Sequence, residues 1–281
     1  MTNHRYHLVP LTAALIAVTL SAAAPMAVAD ARRDEGADPG SGQTPRVAPP
    51  GSALYGKTYG QWSAEHWKWL FSIPYASNPA NDFSGANCAE GQSGPVWFLA
   101  GSFCPEPPTP CSNFTVTRSC TVPAGKALFF PILDNECSTL EGNGTTDAEL
   151  RACAKSFQDL GTGMTCEVDG LAVANLQSYR VQSPLFTFGP LPEGNIFQAF
   201  GLNAPAGTTS LSVSDGVFVM LPPLSAGPHT IHFTGATPDF GFGMDITYNL
   251  TVAAPGASPA GVESTTGARP MSWGKVKTIY R

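Results

Sequence analysis

Apolar and polar residues alternate from Met244 to Val252: Met244, Ile246, Tyr248, Leu250 and Val252 fall on one side, Asp245, Thr247, Asn249 and Thr251 on the other. Successive side chains of a strand point to opposite faces, so this pattern describes a sheet with one face buried and one wet. Phe114, Val116, Cys120 and Val122 repeat it against Thr115, Thr117, Ser119 and Thr121, with Arg118 at an apolar-parity position. His229-Ile231-Phe233 and Val217-Val219-Leu221 carry the same period. Turn signals punctuate the runs at Pro123-Ala124-Gly125-Lys126, Asp215-Gly216 and Ala226-Gly227-Pro228. One-sided strands separated by such turns predict a mainly β protein, an antiparallel β-sandwich or jelly-roll-like domain.

Two helices interrupt the pattern. Thr58-Tyr59-Gly60-Gln61 is a capping box that opens the first, which must end before Pro74. Thr146-Asp147-Ala148-Glu149 opens the second, which stops at Gly161. Leu150, Cys153, Phe157 and Leu160 form a stripe along it that should dock on a sheet.

The ends read differently from this central block. Arg5, an apolar run from Leu8 to Leu20 and the small residues ending in Ala27-Val28-Ala29 predict a secretory signal peptide over residues 1–29. Residues 30–52 are rich in Gly, Pro, Ala and charge and predict a disordered linker, followed by a β-rich folded domain at 53–253. A Pro/Ala/Gly/Ser/Thr linker at 254–270 and a basic tail at 271–281 complete the plan. The apolar leader is too short and too proline-interrupted to be a membrane span. Export to an extracellular or periplasmic, oxidising space is therefore expected, and disulfides with it.

All seven cysteines lie between Cys88 and Cys166, without a C-x-x-C spacing or a neighbouring His, which argues against zinc. One thiol must be odd, and the pairing of the rest stays open. The net charge of −6 lacks the basic footprint of a nucleic-acid binder.

Several residues invite chemistry. On the first helix, Tyr59, Trp62, His66, Trp69, Leu70 and Ile73 share one face, leaving Trp67 and Phe71 well round from it. That pair either packs under a loop or forms an aromatic platform for sugar rings or a protein partner. His66, amid Trp62, Trp69 and Ile73, is a core histidine or a proton-transfer group. His229 and His232 are three apart on a strand, so they face opposite ways and cannot share one ion. Asp134, Asn135, Glu136, Glu141, Asn143 and Asp147 supply clustered oxygens of the kind Ca2+ takes, or else are solvated loop acids; no other cofactor is expected. Arg118 either pairs with Asp134 or Glu136, or reaches water at a sheet edge. There is no G-x-S-x-G, P-loop, dinucleotide fingerprint or H-E-x-x-H.

The runs Tyr55-Gly56-Lys57-Thr58-Tyr59-Gly60-Gln61-Trp62, Trp67-Lys68-Trp69, Gly94-Pro95-Val96-Trp97-Phe98-Leu99-Ala100-Gly101 and Leu224-Ser225-Ala226-Gly227-Pro228-His229-Thr230-Ile231 resemble a group of exported bacterial proteins. Cys120-Thr121-Val122-Pro123-Ala124-Gly125-Lys126 belongs to the same likeness, which spans most of the central block. The tail Ser272-Trp273-Gly274-Lys275-Val276-Lys277 resembles endings of other exported bacterial proteins. The resemblance implies export and one domain and assigns no activity.

These signals favour a secreted, non-catalytic binding or surface-associated protein, with carbohydrate or a cell-surface component as ligand through Trp67 and Phe71, and a protein partner for the tail. The alternatives are a secreted hydrolase whose site gathers Asp134, Glu136, Arg118 and His66, and a calcium-stabilised structural protein.

Overall fold

The computed structural model describes residues 44–105 and 109–256. The signal peptide, most of the first linker, the rest of the second linker from residue 257 and the basic tail lie outside the described residues.

The strands are β1 (Ala53–Leu54), β2 (Lys57–Thr58), β3 (Val96–Phe98), β4 (Phe114–Val122), β5 (Ala127–Ser138), β6 (Thr162–Val168), β7 (Leu171–Ala172), β8 (Arg180–Gln182), β9 (Phe186–Phe188), β10 (Ser210–Leu221), β11 (Gly227–Thr237) and β12 (Phe242–Val252). The helices are α1 (Tyr59–Phe71), α2 (Asp147–Gln158) and a single turn, α3 (Ile196–Ala199), that the sequence reading does not contain. Both expected capping boxes are formed, at Thr58/Gln61 and Thr146/Glu149.

One sheet runs β3-β5-β10-β8, with β9 also on β10; the other runs β4-β12-β11-β6-β7. The two faces pack as a sandwich. Leu128, Phe130 and Ile132 from β5 and Val217 and Val219 from β10 meet Val116, Phe233, Ile246 and Tyr248 from the second sheet. β4 buries every second residue, as its alternation requires. Most pairings are antiparallel, but β4 runs parallel to β12 and β3 parallel to β5.

The outer face of the first sheet carries its own core. Phe129, Phe218 and Met220 point away from the sandwich and are covered by α1 and α3. Gly60 permits α1 to approach so closely, since a Cβ there would stand 2.6 Å from the Gln182 carbonyl oxygen. Ala48 also packs here, donating its backbone N–H to the Met220 carbonyl (2.8 Å), and Val47 packs on the sandwich core, so ordered chain extends into the expected linker.

α2 docks on the far end of the same two strands through Leu150 and Ala154, next to Cys137 and Val213. Disulfides join Cys88–Cys120, Cys104–Cys111 and Cys137–Cys153, and the odd thiol is the buried Cys166. Burial pushes that thiol up to about 12, which keeps it protonated and inert.

Asp215-Gly216 is not the turn its composition suggests; it lies in the middle of β10, opposite Asn135 and Asp134. Beside it a β-bulge shifts the β5–β10 register, so Val217 faces Leu133 while Phe218 faces Pro131. Pro131 lacks an N–H for the ladder, and a bulge is where a strand tolerates that. The bulge places Ile132 and Leu133 both in the sandwich core and turns Asp134 and Glu136 to the α1 side.

Candidate functional site

Asp134 and Glu136 share one face of β5, where Trp67 of α1 approaches Asp134. Their strand neighbours on β10 are Gly216 and Ser214, and Ser63 of α1 lies 3.1 Å from the Ser214 hydroxyl. The Ser212 hydroxyl donates to Glu136, and that of Ser138 donates to Glu141 (2.7 Å), whose carboxyl meets Glu136.

Both strand acids are half-buried, yet protein surrounds their carboxyls closely. Burial pushes Asp134 up to about 7, against a smaller opposing effect of the Trp67 indole N–H. Neither Trp67 Nε1 nor Asp134 Oδ2 gains a well-formed hydrogen bond. Burial and then the neighbouring Glu141 raise Glu136 well above the ordinary carboxylate range. Two neighbouring carboxyls on one strand face, both raised above the ordinary carboxylate range, are chemically able to donate and accept protons.

The rest of the expected site disperses. Trp67 is 9% exposed and Phe71 2%, so the aromatic platform expected of them does not exist. Phe71 instead packs on Phe188 and Phe197, ring centroids 4.7 and 4.8 Å away, because β9 and α3 clothe the second face of the helix.

Arg118 is buried without a carboxylate partner, contrary to expectation. It donates to the carbonyls of Asp82 (2.6 Å), Ala100 (2.9 Å) and Gly101 (2.9 Å) and to the Tyr248 hydroxyl (2.6 Å). Those carbonyls belong to loops that cross the sandwich edge, so Arg118 ties them down and stays away from Asp134.

His66 accompanies Trp67 on α1, but it is enclosed by Trp69, Phe98, Phe129 and Phe218. Burial depresses it to about 4, against the Leu99 carbonyl 3.1 Å from Nε2. It therefore stays neutral and does not join the acids.

Of the six oxygen donors considered for calcium, Asp134, Glu136 and Glu141 stay near one another, but the other three separate from them. Asn135 turns to the α2 side of β5 beside Gln158. Asp147 pairs with Arg151 on the exposed helix surface, 2.9 Å apart, and Asn143 accepts from the Ser138 backbone. Among the described residues no group of three or more His, Cys, Asp or Glu is arranged to hold a metal ion. His229 and His232 do lie on opposite faces, His232 pairing with Asp245 (2.9 Å).

A second feature carries no motif in the sequence. Along the other flank of α1 runs a groove of about 480 Å3 walled by Lys57, Gln61, Ala64, Glu65 and Lys68 and by the segment 184–187. Glu65 sits between Lys57 and Lys68, 3.1 Å from each ammonium. Burial would raise its carboxyl, but the two lysines outweigh that and leave it below its ordinary value. Gln61 uses its side-chain oxygen to cap the helix, and Lys68 lies 6.0 Å above the Phe186 ring. The signal available was the run of polar residues at helical spacing, Gln61, Glu65 and Lys68, on a helix whose other positions are buried.

No family model matches the chain, and no curated protein does. A solved structure, that of PbICP-C in complex with falcipain-2, aligns over 55% of this chain and 98% of its own at 13% identity; its TM-score of 0.20 is too low to carry any argument.

Proposed function

We propose that this is an exported protein that binds carbohydrate in the groove along α1. The observation that carries the reading is that groove: its volume falls in the range of small-molecule sites, and its walls combine donors and acceptors with apolar surface. Lys57, Lys68, Glu65 and Gln61 suit vicinal hydroxyls, while the exposed Leu185 suits the C–H face of a sugar. Three disulfides fit an oxidising compartment. Among the described residues no helix is long and apolar enough to cross a membrane. The likeness to exported bacterial proteins supports the same destination.

The test is retention of the full chain on a panel of insoluble polysaccharides, compared with a Gln61→Ala/Lys68→Ala variant. Lys68 reaches solvent but Gln61 also closes the cap of α1, so the variant should melt somewhat below the parent yet stay folded at the assay temperature, while its retention falls about tenfold, the equivalent of 1.4 kcal/mol. Failure of the parent to bind any polysaccharide, or equal binding by the variant, overturns the assignment.

The raised carboxyls of Asp134 and Glu136 favour a second reading, a hydrolase that uses them as acid and base on a glycosidic bond. The same panel separates the two: soluble sugar released by the parent and not by Asp134→Asn selects hydrolysis, and binding without release selects the first reading.

A further inference from the structure

At the edge of the second sheet, remote in the fold from α1, three side chains from separate segments converge. Asp169 and Gly170 form the two-residue turn between β6 and β7, with φ of 52° and 76°. Positive φ at both central positions belongs to the tight hairpin turn that Asp-Gly favours. The turn directs the Asp169 carboxylate at β11. There Oδ1 accepts the Thr230 backbone N–H (2.8 Å), and Oδ2 lies 2.7 Å from Nδ1 of His229. On the opposite side of the ring, Nε2 stands 3.2 Å from the Ser225 hydroxyl and 3.0 Å from the Ser225 carbonyl. Ser225 is exposed, in the loop between β10 and β11 that Pro222 and Pro223 stiffen.

We propose that Ser225, His229 and Asp169 form a nucleophilic site that hydrolyses carboxylic esters, an activity beyond the carbohydrate binding assigned to the groove. The order carboxylate–Nδ1, Nε2–hydroxyl is the arrangement that activates a serine, and it recurs on unrelated folds independently of sequence order. In the tautomer that donates Nδ1–H to Asp169, Nε2 carries the lone pair. Of the two Ser225 oxygens beside Nε2, the hydroxyl alone can donate to that lone pair. As the serine oxygen attacks the ester carbonyl, its proton passes to Nε2. The new Nε2–H then has a ready acceptor in the Ser225 carbonyl, which stabilises the imidazolium together with Asp169. Collapse of the tetrahedral adduct breaks the C–O bond, and His229 returns the proton to the departing alkoxide. Water then attacks the acyl-serine with the same proton relay, releasing the acid and restoring the hydroxyl. Ser225 and His229 are the catalytic residues; Asp169 is a positioning residue. An open turn offers weaker oxyanion stabilisation than an enclosed cleft, so the substrate class is an ester with an alcohol leaving group and not an amide.

The experiment treats the full chain, disulfides intact, with a fluorophosphonate probe and follows p-nitrophenyl acetate turnover in parallel. The expected result is one adduct, on the peptide that carries Ser225, and an initial burst of p-nitrophenol. Ser225→Ala, a change at an exposed position, should remove both. His229→Gln, which can still bond to Asp169, should slow labelling about 100-fold or more, the range expected for loss of a general base. Asp169→Asn should slow it while shifting the pH profile of labelling, a change that a purely structural role would not produce. Absence of an adduct on Ser225, or labelling at an unchanged rate in His229→Gln, overturns the proposal.

Discussion

Gly216 and Asp134 face each other across β10 and β5, and the absence of a side chain on one makes room for the other. A Cβ on Gly216 would lie 2.4 Å from the Asp134 Cβ and 2.8 Å from its Cα, far inside contact distance. Gly216→Ala should therefore push the two central strands apart and cost about 1–3 kcal/mol, the usual penalty of overpacking. Urea unfolding checks it: the midpoint should fall with an unchanged slope. In a cycle with Asp134→Gly the two losses should not add fully, since the second change removes the nearer of the two clashing atoms. Arg118 makes a related point. A buried guanidinium is expected to seek a carboxylate, but three loop carbonyls and one phenol satisfy most of its donors. Alternation alone shows that such a side chain points inward; it carries no information about which loops will close over it.

β4, β11, β12, the second half of β10 and both long helices were legible because each states its periodicity locally, with capping boxes at Thr58 and Thr146 marking the helix starts. The site was less legible, and β5 shows why. By unbroken alternation from Leu128 and Phe130, the acids Asp134 and Glu136 belong inside the sandwich. The bulge at Pro131 and Ile132 reverses that parity and sends them beneath α1. Phe71 was misjudged for a similar reason, since the residues that cover it, Phe188 and Phe197, are more than a hundred positions away. α2 offers a test at this scale. It is fastened to β5 by Cys137–Cys153, which closes a span of 16 residues, and by packing of Leu150 and Ala154. Replacing both cysteines with alanine should cost about 3 kcal/mol if the cross-link acts mainly on the unfolded chain. A loss well below that, measured by chemical unfolding, would mean that the apolar stripe alone holds the helix.

For the molecule as a whole, the buried titratable groups make stability depend on pH in a direction unusual for carboxylates. Asp134 titrates at about 7 in the folded chain against an ordinary value of 3.8, and Glu136 is also raised. Between these limits the folded state binds more protons than the unfolded one, so the acids stabilise the fold at low pH and that contribution is lost as pH rises through about 7. The groups that face them are Asp134 and Glu136 mutually, Glu141 from the loop after β5, Ser212 from β10 and Trp67 from α1; no cation among these compensates. His66 works the other way. Its folded value of about 4 lies below its ordinary 6.5, so its contribution is present above pH 6.5 and lost as pH falls through 4. The two effects oppose each other over the acid range, and only the carboxyls act between pH 6.5 and 7. Asp134→Asn keeps the shape while removing the proton equilibrium. The melting temperature of the parent should therefore fall relative to that of Asp134→Asn from about pH 4 to about pH 7, and the two curves should run parallel above that. Curves already parallel from about pH 4 would show that Asp134 is ionised in the folded chain at neutral pH, and would remove the acid–base pair as a basis for hydrolysis.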